Sequence, residues 1–594
     1  MTKYSILVQI LEKMRHEAPK EYKKYYPEAN ETEKLTSALS RAFIHLYLKV
    51  KFGLLDFQAR ESLITDGTDD GGLDAYFIDK ANKTVHVIQS KFRETAANFE
   101  GKEIGLDDLS KMEVDEIVKG ADLGKNGRSY NGKIKQFQNI LGQTEYLGQY
   151  KWKLVFLANF KHGDVLQKLY KDYTVEVFDY SRAYTELVFP VISGTYFKAE
   201  NLHIVVSLDN VSGGNSRVSY SVDTSLGEAE VTLIFAPIKE IGAMMSKYRN
   251  SILAFNPRSY LGLATNEVNS KIADTIKSSK TNEFALFNNG ITIVADEAGY
   301  SDKTGKKSVA HLELLNPQII NGGQTAYTLC KVYDDVTNGL APSDVFDGKE
   351  VLLKIITIDP SAATAEQRMS LIENISEATN YQTKIDEADR RSNEAIQLKL
   401  QQLMYERHGL FYERKAGEFF DGLQAGYISE ELIVEREQLM RVALASKFQV
   451  SETKARVGNF FSAENFEQQL DEQYVDKYAF GYRCLRVLSS ELDKSKRAKN
   501  AYFEGKYGYA LRYGRYAVVA VAINRFYDGG RTTPEQAVTN VLARWQAFEA
   551  WVKGRPNNMR YFSPQKADWV SYYKGKTVND DIELYKFKDA DIAA

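Results

Sequence analysis

The sequence predicts a mixed architecture in four parts. Residues 1–190 read as an α/β domain with a mixed sheet flanked by helices, 191–245 as a β-rich connecting region, 246–430 as an α+β domain and 431–594 as a mainly α-helical domain. Three observations predict this. Up to residue 190, apolar runs of strand length alternate with amphipathic helical stretches. Between Asn201 and Pro237 the pattern changes to alternating strands with polar turns. From about Ile428 the apolar residues recur at helical spacing.

Composition sets the outer limits. The 594 residues are 43% hydrophobic and 12% aromatic, enough for several buried cores. A formal net charge of −3 argues against a uniformly basic nucleic-acid binder, so any phosphate contact must come from a local patch. Cys330 and Cys484 are the two cysteines, far apart in sequence, which excludes a disulfide framework and a zinc ribbon. Seven histidines lower the odds of a histidine metal site. The start, Met1-Thr2-Lys3-Tyr4, has no apolar leader core, and no apolar run approaches membrane-spanning length; a cytoplasmic protein without a membrane partner is expected.

In chain order, Tyr4 to Gly53 reads as helical, with Glu33 opening the stretch Glu31 to Leu48. Gly71 to Asp79 and Val85 to Phe92 then read as the two strands of a hairpin around the polar turn Lys80-Ala81-Asn82-Lys83. In an antiparallel hairpin with so short a loop, a residue early in the first strand faces one late in the second, which brings Asp74 close to Gln89 and Lys91; Gln89 and Lys91, two apart, share a sheet face. A carboxylate, an amide oxygen and an ammonium gathered on an apolar hairpin suit metal-assisted phosphodiester hydrolysis. Asp74, Gln89 and the Ser90 carbonyl would hold Mg²⁺ or Mn²⁺, and Lys91 would assist the attacking water. The plain alternative is that Asp74 caps a Gly-Gly turn and that Gln89 and Lys91 are solvated on an edge strand. Beyond the hairpin, helices are expected over Leu106–Lys119, Ile134–Leu147 and Val165–Tyr173, and strands over Trp152–Phe160 and Thr174–Tyr180.

These features resemble the core of the PD-(D/E)XK nucleases, in the Mrr-like variant where Gln replaces the second acid; the likeness covers about the first third of the chain. The resemblance implies that a glutamate on the preceding helix completes the metal site. Glu33 is the first candidate and Glu61 the second, while a first-turn glutamate is equally explained by the helix dipole.

In the middle of the chain, Asn289-Gly290 between apolar residues is a tight-turn signal. Asn321-Gly322-Gly323-Gln324-Thr325 joins a strand to a helix and can present backbone N–H groups to an anion; no lysine follows the glycines, so it is not a P-loop. Candidate phosphate or nucleic-acid contacts are Arg258, Asn289, Asn321, Gly322, Gly323, Gln324, Thr325, Arg414 and Lys415, with Asn288, Asn380 and Gln382 as further amides; such amides also serve as caps and turn formers. Four phrases in order, at 288–292, 321–325, 374–382 and 410–417, are similar to the abortive infection phage resistance family, AIPR, over about residues 240–460. That resemblance implies a bacterial antiphage role. Farther on, the basic run Lys494 to Lys499 precedes Tyr502, Phe503, Tyr507, Tyr509, Tyr513 and Tyr516, a stretch that suits either base stacking or a helical core.

The expectation is a metal-dependent nuclease of phage defence acting on nucleic acid, DNA favoured over RNA, with the AIPR-like region binding substrate or regulating the cut. A phage-encoded trigger and self-association are further expected partners. The alternatives are a nuclease-like domain that grips nucleic acid without cutting it, and a middle domain that binds a nucleotide through Asn321 to Thr325.

Overall fold

A computed structural model describes the chain except residues 29, 81, 197–201, 210–216, 257–266, 279–280, 306–308, 360, 362–363, 380–390, 455–460, 462–465, 500, 564–565 and 588–594. The chain forms two compact units: Met1–Leu202 with Ala243–Ser251 and Asp421–Ile428, and the remainder.

The first unit opens with the helix Lys3–His16, whose start is closed by a reciprocal cap between Thr2 and Ser5. Ile6, Leu7, Ile10, Leu11 and Met14 line its buried stripe. The helix Thr32–Phe52 is buried on nearly all sides between Ala38 and Leu48, including Arg41 and His45, and Gly53 ends it in the left-handed region at φ 65°. A four-stranded sheet follows in the order β1 (Ala75–Asp79), β2 (Thr84–Ser90), β3 (Lys151–Leu157), β4 (Thr174–Val177). The β1–β2 pair is antiparallel, while β2–β3 and β3–β4 are parallel, so the expected mixed sheet is present. Leu73, Tyr76, Val85, Val87, Leu154 and Phe156 pack with Ile134, Phe137 and Leu141 of the helix Gly132–Gln143 in one apolar core. Full burial of each such side chain stabilises by about 1.5–3 kcal/mol.

The helix expected over Leu106–Lys119 is interrupted: Leu106–Leu109 and Val114–Val118 are separate short helices. Between them the Glu113 N–H is drawn to the Gly71 carbonyl (2.8 Å), a tertiary bond that local periodicity does not reveal.

In the second unit, β5 (His203–Asp209), β10 (Val309–Leu315) and β9 (Glu297–Ser301) make a three-stranded antiparallel sheet. A five-stranded sheet runs β11 (Gln318–Asn321), β8 (Ile291–Ala295), β12 (Glu350–Thr357), β7 (Gly227–Pro237), β6 (Val218–Thr224), with β8–β12 its parallel pair. The segment expected to be a connecting region therefore supplies β5, β6 and β7 to the sheets of the middle domain. The expected border at 430/431 also disappears into a shared core. Leu400, Met404, Leu410, Tyr412 and Val434 pack in the same apolar cluster as Tyr478, Leu485, Val518, Trp545 and Phe548. Phe411–Glu413 pairs in parallel with Ile433–Glu435 across that border. Beyond it the chain is mainly helical, as expected, with Val475–Arg497 the longest helix there. Among the described residues no helix is long and apolar enough to cross a membrane.

Candidate functional site

The hairpin register sets Ala75 opposite Ile88, which puts Asp74 across from Gln89. Asp74 donates its N–H to the Ile88 carbonyl (2.9 Å), and its carbonyl accepts from the N–H groups of Thr65 (2.9 Å) and Asp66 (3.1 Å). Its side chain is buried and accepts the Ser90 N–H at 2.6 Å. Gly71 (φ 63°) and Gly72 (φ 74°) make this approach feasible, since a Cβ on Gly72 would stand 3.2 Å from both Gln89 Nε2 and the Lys111 carbonyl.

Gln89 is 1% exposed. Its Nε2 donates to the Gly72 carbonyl (3.0 Å), while its Oε1 is buried with no hydrogen-bond donor. A buried amide oxygen without a partner is costly, about 1–3 kcal/mol, and native structures usually have a reason for one.

Two acids not anticipated from the sequence stand with Asp74. Carboxylate oxygens of Asp66, Asp70 and Asp74 lie within 4.8 Å of one another. Asp70 accepts the N–H groups of Gly67 (3.0 Å) and Gly72 (2.8 Å), and Asn131 pins the loop by donating to the Thr65 (3.1 Å) and Thr68 (3.3 Å) carbonyls. Burial raises the Asp74 carboxyl to about 7; the negative charges of Asp66 and Asp70 add to that, while the Ser90 N–H and the Lys91 charge oppose it. Asp70 is raised as well, again mainly by burial, with Lys91 opposing. The cationic end of Lys91 thus acts on both acids, and its N–H continues the sheet by donating to the Leu157 carbonyl (2.9 Å). The one signal in the sequence was the spacing of four in the glycine-rich run Asp66-Gly67-Thr68-Asp69-Asp70-Gly71-Gly72-Leu73-Asp74.

Neither helix glutamate joins this group. Glu33 is exposed in the first turn of its helix, eight residues and about 12 Å of helix axis before Arg41, the residue that touches Asp66. Glu61 is buried and fully engaged, accepting from Tyr25 Oη (2.5 Å), Lys24 Nζ (2.6 Å), Arg41 Nη2 (3.1 Å) and His45 Nε2 (3.1 Å). Burial works against its charge, but the bonds from His45, Lys24 and Tyr25 and the charge of Arg41 outweigh it and hold the carboxyl far below the usual range. Glu61 therefore acts on the acid loop at one remove, because Arg41 also bonds the Asp66 carboxylate (2.9 Å) and carbonyl (3.1 Å).

The middle-domain phrases are structural in a specific way. Asn289-Gly290 is not a hairpin turn: Phe284–Phe287 is a short helix, and the pair leads from it into β8. Gly290 (φ 84°) would place a Cβ 2.7 Å from the Leu352 carbonyl, and Gly322 (φ 80°) one 2.6 Å from the Gly290 carbonyl, so two of the phrases touch backbone to backbone through glycines. Asn288 donates through Nδ2 to Thr325 Oγ1 (3.0 Å) and accepts the Gly290 N–H (2.9 Å). Asn321 accepts the Gly322 N–H (2.7 Å), and Gly323 opens the helix Gly323–Thr337, with Asn321, Gly323 and Gln324 half-buried and Asn289 exposed.

Arg414 and Lys415 turn inward, contrary to the expected phosphate contact. Arg414 donates to Glu418 (2.6 Å), Gln401 (2.9 Å) and the Ser392 carbonyl (2.8 Å). Lys415 is 4% exposed and donates to the Ala254 carbonyl (2.5 Å). Burial, helped by the Arg414 charge, lowers Lys415 to about 7. Arg258, Asn380 and Gln382 lie outside the described residues. In the helical region Phe503, Tyr507, Tyr509, Tyr513 and Tyr516 pack against the apolar core, and Lys494 and Lys496 pair with Glu491 and Asp493, which favours the core explanation of that stretch.

Residues 253–544 match the family model described as AIPR protein. The span includes all four phrases and runs on into the helical core, farther than the phrases alone suggest, ending before Trp545; the Asp74 hairpin lies outside it. No curated protein and no solved structure gave a match. Residues 253–544 are thus similar to the AIPR protein family.

Proposed function

We propose that the protein is an antiphage protein of the abortive-infection type and that its N-terminal unit hydrolyses phosphodiester bonds with a divalent cation, DNA being the favoured substrate. The observation that carries this reading is the convergence of the Asp66, Asp70 and Asp74 carboxylates, together with a partnerless buried Oε1 on Gln89 of the strand paired with β1. This donor set is all oxygen, the chemistry that Mg²⁺ or Mn²⁺ selects. Asp66 and Asp70 supply the negative charge that a glutamine at position 89 removes from the nuclease pattern. Bound there, the cation would make water a better nucleophile and polarise a phosphate. The chain's own part is to hold the acids rigidly through Ser90, Asn131 and Arg41, and to place the Lys91 charge beside them. Lys91 then offsets charge that develops on the phosphate oxygens and orients the attacking water. The AIPR region would bind the substrate or control the cut.

The test is a cleavage assay on plasmid, linear duplex, single-stranded DNA and RNA with Mg²⁺, Mn²⁺ or EDTA. Wild type should cut only with metal, and Asp74→Ala and Lys91→Ala should each lose at least a hundredfold in rate. Equal phage protection by wild type and both variants would refute the reading.

A further inference from the structure

Among the described residues, strand β6 is the outer strand of the five-stranded sheet, and its residues from Val218 to Asp223 are exposed on both faces. Val218, Tyr220 and Val222 are 56%, 48% and 38% exposed, an apolar row on one face. Pairing with β7 is regular over seven residue pairs, so no bulge blunts this edge, and the strand contains no Lys, Pro or Gly. Edges are ordinarily protected by such features, and an unprotected one is a template for another strand.

The sequence of this edge selects its own copy. Arg217-Val218-Ser219-Tyr220-Ser221-Val222-Asp223 reads identically in both directions over its five central residues, and its two ends carry opposite charges. We propose that β6 pairs antiparallel with β6 of a second copy of this chain, about a two-fold axis through Tyr220, joining two five-stranded sheets into one of ten strands. In this register Val218 meets Val222, Ser219 meets Ser221, Tyr220 meets itself, and Arg217 meets Asp223 twice. Each pair joins residues an even number apart, so every side chain stays on its own face. The apolar row continues across the axis, and both charge pairs are attractive. The two-fold makes the contact isologous and closed, so it ends at a dimer rather than a filament. Within the single chain the Arg217 guanidinium lies 5.0 Å from the centre of the Tyr300 ring on β9.

The experiment is sedimentation equilibrium on the full chain from roughly one to a hundred micromolar, the range suited to a short edge contact. Wild type should be a dimer at the upper end. Arg217→Asp and Asp223→Arg each set like charges opposite one another twice and should weaken dimerisation about tenfold or more. The double variant R217D/D223R restores attraction and should recover the wild-type association. Circular dichroism unchanged in all three variants, and a cooperative melt measured at a concentration where all are monomers, guard against misfolding; loss of the Arg217–Tyr300 contact accounts for only a small shift in that melt. A monomeric wild type overturns the proposal, as does a dimer indifferent to the single changes or a double variant that fails to recover.

Discussion

Replacing Lys415 with methionine keeps the length of the side chain and removes its charge and its hydrogen bond to Ala254. In the folded protein Lys415 titrates near 7, against an ordinary value of 10.5, with burial the chief cause. Between those two pH values the unfolded chain holds a proton that the folded one lacks, so wild-type stability rises as pH rises through the window. The slope is at most about 1.4 kcal/mol per pH unit, and the whole window amounts to about 5 kcal/mol as an upper limit. Against this, Lys415→Met leaves the Ala254 carbonyl without its donor, a loss of about 1–3 kcal/mol that does not depend on pH. The variant should therefore be at least as stable as wild type at pH 7 and lose ground steadily by pH 9.5. Urea unfolding read by tryptophan fluorescence suits the question, since Trp545, Trp551 and Trp569 lie in the same compact unit as Lys415. Taking the difference between the two proteins at each pH cancels Lys454 and the other groups that titrate in this range. A third of the upper limit is measurable. A difference that stays constant within about 0.5 kcal/mol from pH 7 to 9.5 would show that Lys415 is hydrated in solution, and the burial argument would fall.

Glu413, whose carboxyl burial raises to about 7 from 4.5, contributes stability that is present below pH 4.5 and lost as pH rises to 7; Glu413→Gln should flatten the unfolding free energy over that interval. Gly322→Ala combines a left-handed backbone, worth about 1–2 kcal/mol, with a Cβ 2.6 Å from the Gly290 carbonyl, so a loss of about 2–4 kcal/mol is expected in thermal or urea unfolding. Gly339→Ala is the control, with φ 71° but open space around the added carbon, and should lose only about 1 kcal/mol. Glu61→Gln strips the buried partner from Lys24 and Arg41 and should destabilise by about 2–4 kcal/mol at neutral pH. Because the Glu61 carboxyl is held low, its contribution is present above pH 4.5 and disappears as pH falls, so wild type and Glu61→Gln should converge in acid unfolding curves.

The hairpin is legible because a strand's period of two and a short polar turn bring Asp74 near Gln89 and Lys91; the register itself, Ala75 opposite Ile88, is a finding of the structure. Asp66 and Asp70 were not legible as part of the site. They sit on a loop whose path is set by Asn131, some sixty residues on, and by Arg41, twenty-five residues before, and no local pattern encodes either bond. The nuclease resemblance points to Glu33 and then Glu61, yet a helix axis carries the first away and four donors saturate the second. Arg414 and Lys415 misled for a simple reason: adjacent cations suggest solvent, and only the structure shows Glu418, Gln401 and the Ala254 carbonyl waiting for them. Near residue 430 the periodicity changes from strands to helices, but such a change marks a domain edge only when the core also divides.

That undivided core bears on how such a protein can be taken apart. A fragment beginning at residue 431 would keep Ile433–Glu435 but lose the strand it pairs with, and would expose the faces of Val434 and Tyr478 that cover Leu400, Met404 and Tyr412. The complementary fragment ending at 430 would be left with the same apolar residues bare. Both pieces should aggregate when expressed alone and combine only when produced together. Recombination between related genes that splits this region would therefore be selected against, and the helical segment should travel with the stretch from about Leu400 as one heritable block.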